Sequence, residues 1–234
     1  MNAILSLLDA TWPAAALSRT GAFAIREGQG GGSRVSAATV EGPFGPEDIM
    51  AAEAAQEALG QTGLFMVLGG QQALDDALAA RGYRVKDPVV IYAAQTATLA
   101  DPAPAPMSAF TIWPPLEIMR DLWAEGGIGP ARVAVMDRAA GPKTAIMGRV
   151  KDRVAGVAFV SVVENRAMLH ALHVAPGLRR QGSAVNIMRA AALWAQDRGA
   201  TELFLAVTKA NEAANALYAS LGMQIVENYH YRSR

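Results

Sequence analysis

The segment Val174-Ala175-Pro176-Gly177-Leu178-Arg179-Arg180-Gln181-Gly182-Ser183-Ala184 constrains this chain more than any other. It follows an apolar run of strand length, Ala167 to Val174. It opens a helical pattern, Ser183 to Arg198, with Val185, Met188, Ala192 and Ala195 at helical spacing and Gly199 as the stop. A strand that turns through a short loop into a helix leaves the first amides of the helix without partners, and the helix dipole adds partial positive charge there. Such a turn suits a phosphate or pyrophosphate. Gly182, Ser183 and Ala184 are small enough for a ligand to approach the backbone, and Arg179 and Arg180 can add charge-assisted contacts. No Gly-Lys-Ser/Thr follows and the dinucleotide three-Gly spacing is missing, so neither of those phosphate motifs applies.

A second element lies downstream. Leu203 to Val207 is a short apolar run, Asn211 stands at a helix N-cap position, and Gly222 stands where the helix should stop. On that helix Asn211, Asn215 and Tyr218 share one face, while Ala214, Leu217 and Leu221 form the apolar stripe. Further upstream, Leu116 to Ala124 reads as a helix, and the runs Ala145 to Val150 and Val154 to Val163 as a hairpin. Hairpins followed by strand, helix, strand and helix predict an α/β fold with a mixed sheet and helices on its faces.

Asp101-Pro102-Ala103-Pro104-Ala105-Pro106 cannot continue a helix or a central strand and reads as a spacer. It divides the chain into 1–101, the linker 102–106, and 107–234. The first part holds an echo of the second. Gly60-Gln61-Thr62-Gly63-Leu64-Phe65 resembles Gly199-Ala200-Thr201-Glu202-Leu203-Phe204, 139 positions on, and Gly82 corresponds to Gly222, 140 positions on. The helical stretch Gln72 to Ala80 lies between these marks, as Tyr218's helix does in the second part. The chemistry is not repeated: at 140 positions Arg179 falls on Thr39 and Tyr218 on Leu78, and at 139 positions Gly182 falls on Pro43. Gly28-Gln29-Gly30-Gly31-Gly32-Ser33 lacks the Lys-Ser/Thr of a phosphate loop and is expected to form a flexible hairpin turn.

Composition excludes several classes. With formal net charge zero and no basic stripe, nucleic acid is not an expected partner. The chain has no cysteine and three histidines without metal spacing, so no metal site is expected. No run approaches the roughly 20 apolar residues of a membrane span. The N-terminus lacks a basic leader, and a cytoplasmic protein is expected.

From about residue 107 onward the chain resembles the GNAT (Gcn5-related) N-acetyltransferase family. Arg179, Gly182 and Ala184 fit its pyrophosphate pattern Arg/Gln-x-x-Gly-x-Gly/Ala. Asn211, Ala214, Leu217, Tyr218 and Gly222 fit its last helix, with Met223 where Phe is usual. The resemblance implies a GNAT-like acyl-CoA N-acyltransferase fold, in tandem with a degenerate first copy. It implies acetyl-CoA as co-substrate and transfer of its acetyl group to a primary amine of a small molecule or peptide. The loop Arg179, Arg180, Gln181, Gly182, Ser183, Ala184 and Val185 would cradle the pyrophosphate. Leu172, His173 and Val174 would bind the cofactor arm through main chain, and Asn211 would bond it too. Tyr218 would be the acid that protonates the departing thiolate. For the base, His170 is the candidate, on the same strand face as Leu172 and Val174, with a water chain as the alternative; His173 would face the opposite side. Trp113, Leu116, Trp123 and the loop Gly126 to Pro130 fall where the family builds its acceptor wall. No acidic or basic cluster marks the acceptor. Two other readings stand beside the enzyme: a non-catalytic acyl-CoA-binding regulatory module, and a first half that serves as an interaction surface, as in a homodimer.

Overall fold

The computed structural model describes residues 2–234. The chain opens with α1 (Ala3–Thr11), whose first amides are bonded by the Asn2 side chain, which accepts from Ile4 and Leu5. Three short strands follow: β1 (Ala16–Thr20), β2 (Phe23–Glu27) and β3 (Thr39–Val40). Then come α2 (Pro46–Ala58), β4 (Leu64–Leu68), α3 (Gln72–Ala80), β5 (Arg84–Gln95) and α4 (Thr96–Ala100). The second half contains β6 (Ala109–Ile112), α5 (Glu117–Glu125), α6 (Pro130–Arg138), β7 (Lys143–Val150), β8 (Arg153–Val163) and β9 (Arg166–Val174). It ends with α7 (Ser183–Gln196), β10 (Glu202–Thr208), α8 (Glu212–Ser220) and β11 (Gln224–Ser233).

The strands β1, β2 and β3 form a small antiparallel sheet. All the others form one mixed sheet of eight strands in the order β4-β11-β5-β10-β9-β8-β7-β6. A single parallel bridge from Ala38 to Phe65 connects the small sheet to β4. The expected hairpin over β7 and β8 is present. It turns at Lys151 and Asp152, both with positive φ (48° and 60°), which matches the twist of the flanking strands.

Period-two burial shows how the large sheet is covered. In β5, Val90 and Tyr92 face the core under α4, α7 and α8, while Val89, Ile91 and Ala93 face the opposite core, closed by Leu5, Leu7 and Leu8 of α1. The helices α5 and α6 cover that second face further along, over β7 and β8, around Trp123, Met136 and Phe159. In β4, Phe65 and Val67 face a smaller core with α2, α3 and the small sheet. Each of these strands is buried on both faces, which explains their continuous apolar runs.

The echo in the sequence is visible as two strand–helix–strand units. The helix Gln72–Ala80 and the helix Glu212–Ser220 are 140 positions apart at both ends, as are the starts of β5 and β11. Gly82 and Gly222 stop the two helices with positive φ of 84° and 78°. The units interlock. The last strand of the first unit, β5, lies between β10 and β11, and the last strand of the second, β11, lies between β5 and β4. The pairing is symmetric: Arg84 opposes Ser233 and Ala93 opposes Gln224, and a shift of 140 positions converts one pair into the other. The linker 102–106 lies between α4 and β6, so a cut there does not separate two sheets. It removes the neighbour of β10 from Glu202 to Thr208.

The segment Gly28–Ser33 also departs from expectation. It is not the tip of a hairpin but part of a longer connection from β2 to β3. Gly31 packs against α6, where an added Cβ would stand 2.6 Å from the Val135 side chain. The next residues form a single 3₁₀ turn, Ser33–Val35, that turns Arg34 inward.

Residues 102–234 produced alone should lack a cooperative thermal transition, because β10 and β11 then have open edges and half the sheet core is missing. Co-expression with residues 1–101 should restore the transition, as read by circular dichroism. A fragment 102–234 that melts cooperatively on its own would contradict the interlock.

Candidate active site

Parallel pairing between β9 and β10 runs from Arg166 opposite Glu202 to Leu169 opposite Leu205 and then stops. Beyond it the two strands diverge, and from His170 to Val174 only β8 remains as a neighbour. A bulge in β9 accompanies the divergence. Phe159 opposes His170 and Val157 opposes His173, so three steps on β9 match two on β8. Ala171 has φ +54° and its carbonyl accepts a hydrogen bond from the Trp123 indole at 2.8 Å. The expected facing is corrected here. His170 and His173 sit opposite Phe159 and Val157, on the α5 and α6 face, whereas Leu172 packs into the α7 and α8 core. The extra residue inverts the alternation.

The turn into α7 has the geometry of an anion cradle. Gly182 is the N-cap residue in the left-handed region (φ 83°), and no amide from Arg180 to Val185 donates to a backbone carbonyl among the described residues. The Ser183 hydroxyl is buried beneath the first turn and has no partner. A buried hydroxyl without a partner costs stability unless a ligand supplies one. Arg179 donates from Nε to the Val174 carbonyl at 3.1 Å, which ties the loop to the end of β9. These groups fit a diphosphate.

On the same face, Asn211 caps α8 by accepting from the Ala214 amide at 3.2 Å. Asn215 donates to the carbonyls of Thr208 and Asn211, at 3.0 and 2.8 Å, fixing α8 to the end of β10. Tyr218 is 6% exposed, its ring 5.7 Å from that of Tyr92. Burial pushes its phenol up to about 12, so it is a proton donor throughout the neutral range.

His170 lies on the other face, 4% exposed, with both ring nitrogens engaged. Arg34 Nη1 is 3.0 Å from Nδ1, and Thr11 Oγ1 is 2.9 Å from Nε2. A guanidinium only donates, so Nδ1 accepts; Nε2–H then donates to Thr11, whose hydroxyl donates to the Leu7 carbonyl at 2.7 Å. The Trp12 ring stacks on the imidazole at 4.9 Å. Burial, and then the Arg34 charge, hold His170 well below the usual histidine range. The expected role of general base is therefore not met. The lone pair that would take the proton is occupied by Arg34, and Tyr218 is on the opposite side of the sheet. His173 is also held low, by burial and then by Arg179; its Nε2 is buried without a partner.

A cavity of about 220 Å³ opens where the strands part, on the His170 face. Trp12, Arg34, Ile128, Arg132, Tyr229 and Tyr231 line it together with His170, Ala171 and Ala206 to Thr208. Of the expected acceptor wall, only Ile128 of the 126–130 loop reaches this cavity. Trp123 is buried beneath it, Leu116 is exposed at the start of α5, and Trp113 packs on Phe159 with Lys143 over its ring at 5.0 Å. Sequence reasoning missed Trp12 and Arg34 because nothing local marks them as site residues. Among the described residues no cluster of His, Cys, Asp and Glu could hold a metal, and no helix is long and apolar enough to cross a membrane.

The His170 network has a pH signature. A folded value below the ordinary 6.5 means that the unfolded chain binds the proton more readily. The stability from neutral His170 is then fully present above about pH 6.5 and is lost as pH falls towards the folded value. His170→Gln should cost about 1–3 kcal/mol at pH 8 by disrupting buried hydrogen bonds. The gap in melting temperature from wild type should narrow towards pH 5. A gap independent of pH would show that His170 is not buried in the neutral form.

Residues 115–223 match the sequence model of the Acetyltransferase (GNAT) family. An uncharacterized N-acetyltransferase of Bacillus subtilis (strain 168), YobR, is 33% identical over 82 residues, which cover 35% of this chain and 33% of that protein. The match thus spans about a third of the curated relative's length. The fold is shared with a GCN5-related N-acetyltransferase from Kribbella flavida at TM-score 0.71 and 16% identity, over 98% of this chain and 93% of that one. It is also shared with a tandem GNAT protein from the clavulanic acid biosynthesis pathway at TM-score 0.62 and 14% identity, over 85% and 74% of the two chains. With the splayed β9 and β10 and the cradle at α7 in place, residues 115–223 form a domain of the GNAT family.

Proposed function

We propose that the protein is an acetyl-CoA-dependent N-acetyltransferase that passes an acetyl group to a primary amine by direct attack on the thioester. The observation that carries this reading is the gap between β9 and β10. It has a turn with free amides and a tyrosine on one face of the sheet and a cavity on the other. A thioester arm lying in that gap would present its carbonyl to an amine seated in the cavity.

The roles follow from the groups available. Amides 180–185, the Ser183 hydroxyl and the side chains of Arg179 and Arg180 would hold the diphosphate. Leu172, His173 and Val174 keep one strand edge free, and their main chain would bond the arm and donate to the thioester oxygen as it gains charge. The amine enters neutral, and its nitrogen forms the new bond to the acetyl carbon as the bond from carbon to sulfur breaks. Tyr218 gives its proton to the leaving sulfur. The surplus proton on nitrogen returns to the phenolate through water, so no separate base is consumed.

The first half is read as a degenerate copy of the same unit. At the 140-position shift Leu78, fully buried, stands for Tyr218, and Thr39, on β3, stands for Arg179. What the first half contributes is the wall of the acceptor cavity, through Trp12 and the loop 31–34.

Acetyl-CoA should raise the melting temperature of the wild type by binding the native state alone. Arg179→Glu with Arg180→Glu should abolish that shift, because reversed charge meets the diphosphate. Tyr218→Phe should keep the shift and lower kcat by roughly 100-fold or more, since the missing proton matters only in the transition state. If acetyl-CoA binds, and no amine accelerates CoA release, the regulatory-module reading takes the place of the enzyme.

A further inference from the structure

Resting on the acetyltransferase reading, we infer that the acceptor amine carries a carboxylate, as an α-amino acid with an apolar side chain does, and that Arg34 and Arg132 fix that carboxylate. The two arginines reach one cavity from positions 98 residues apart, Arg34 from the turn after the Gly-rich loop and Arg132 from α6. Neither forms an ion pair with any carboxylate among the described residues. The Arg34 guanidinium lies against His170 Nδ1 and the phenols of Tyr229 and Tyr231, none of them a carboxylate, and its Nε is shut off from solvent with no acceptor.

The same chain shows what a buried arginine normally receives. Arg26, 1% exposed, is held by both oxygens of Asp9 at 2.8 and 2.7 Å, and also donates to the Ala37 carbonyl and to Thr39. A half-buried guanidinium that meets no carboxylate is costly, so the cavity side of Arg34 suits a planar, bidentate acceptor. The phenols of Tyr229 and Tyr231 face the cavity beside Arg34, and burial, and then its neighbour Tyr229, hold Tyr231 well above the phenol range, so Tyr231 gives no counter-charge at neutral pH. His170 is neutral, and Asp87 is the one acidic residue in the lining. The field inside therefore favours an anion.

The rest of the lining selects the side chain. Trp12, Val89, Ile128 and Val207 offer apolar surface. A cavity of about 220 Å³ is below the usual range for drug-sized ligands, which suits a molecule of amino-acid size. The carboxylate could instead belong to a dicarboxylic acyl donor, such as a succinyl thioester, and the two sources predict different specificities.

The test is CoA release by the full chain with acetyl-CoA and matched acceptors: phenylalanine against phenethylamine, leucine against 3-methylbutylamine, tryptophan against tryptamine. At least one acid should exceed its decarboxylated partner by about 10-fold or more in kcat/KM. Arg132→Gln, at an exposed position that keeps the core intact, should narrow that ratio, and Arg34→Gln should narrow it further. Calorimetric titration of the N-acetyl derivatives of the same three pairs gives a readout without turnover: the acids should bind and the neutral amides should bind at least 10-fold more weakly. Acetylation of the decarboxylated amines equal to that of the acids overturns the inference and leaves N-acetyl transfer standing. Succinyl-CoA outperforming acetyl-CoA with the neutral amines assigns the arginines to the donor and also overturns it. If no acceptor turns over, the enzyme reading fails. Binding of an N-acetyl amino acid that Arg132→Gln weakens would then still support the carboxylate site, and failure of all three to bind would reject it.

Discussion

The parting of β9 from β10 after Leu169 and Leu205 is the constraint on which the site depends. Two parallel strands in the middle of a sheet would ordinarily satisfy one another's main-chain groups to their ends. Here they stop, and the free edges line a gap through the sheet. The bulge at Ala171 accompanies that parting, and Trp123 holds it by donating to the bulged carbonyl. Trp123 is fully buried among Met119, Val135, Met136 and Phe159, so the bulge is anchored in the core under α5 and α6 rather than left to the strand itself. A non-glycine residue at φ +54° is held only where its surroundings over-determine it. The energy of a packed core is thus used to keep a sheet open.

The interlock of the two halves explains why the opening does not unravel the sheet. β10 has lost part of its pairing on the β9 side, but on the other side it pairs with β5 along its whole length, from Glu202 opposite Gln95 to Thr208 opposite Val89. β5 is buried on both faces through Val89 to Ala93. A strand donated by the first half therefore supports the weakened strand of the second. In return β11 completes β4, from Leu68 opposite Tyr229 to Leu64 opposite Ser233. The first half has no tyrosine at the equivalent helix, yet the second half's sheet and the wall of the cavity beside His170 both need it.

What the sequence made legible was local. The turn through Gly182 into α7, the cap at Asn211 and the Gly222 stop each depend on a few consecutive residues, and each is in place. The echo at 139 and 140 positions marked the two strand–helix–strand units, because helix length and the Gly after it are the same in both. The order in which their last strands cross is a non-local choice and leaves no trace in the pattern. The bulge was illegible for a different reason. In Arg166-Ala-Met-Leu-His-Ala-Leu-His-Val174 the positive-φ position is an alanine, where a glycine would have given the signal. Without it, simple alternation placed His170 with Leu172 and separated it from His173, and the structure reverses both.

Arg34 was the least legible residue of the site. A charged residue just after Gly28 to Ser33 reads as solvated loop, and its hydrogen-bond partner, His170, is 136 positions away. Its surroundings show how a charge can be kept in such a place. His170 is fixed as an acceptor towards Arg34 because its other nitrogen must donate to Thr11, and Thr11 in turn must donate to the Leu7 carbonyl at the end of a helix turn. Each link in that relay has one permitted direction, so the imidazole cannot turn its N–H towards the guanidinium without leaving a donor facing a donor. Protonating His170 would put two cations 3.0 Å apart in a buried site, which is why its neutral form is favoured. α1 thus acts through Thr11 and Trp12 to hold one face of Arg34. Arg34 lines the cavity together with Tyr229 and Tyr231, and it is the position of the first half against the second that brings it there.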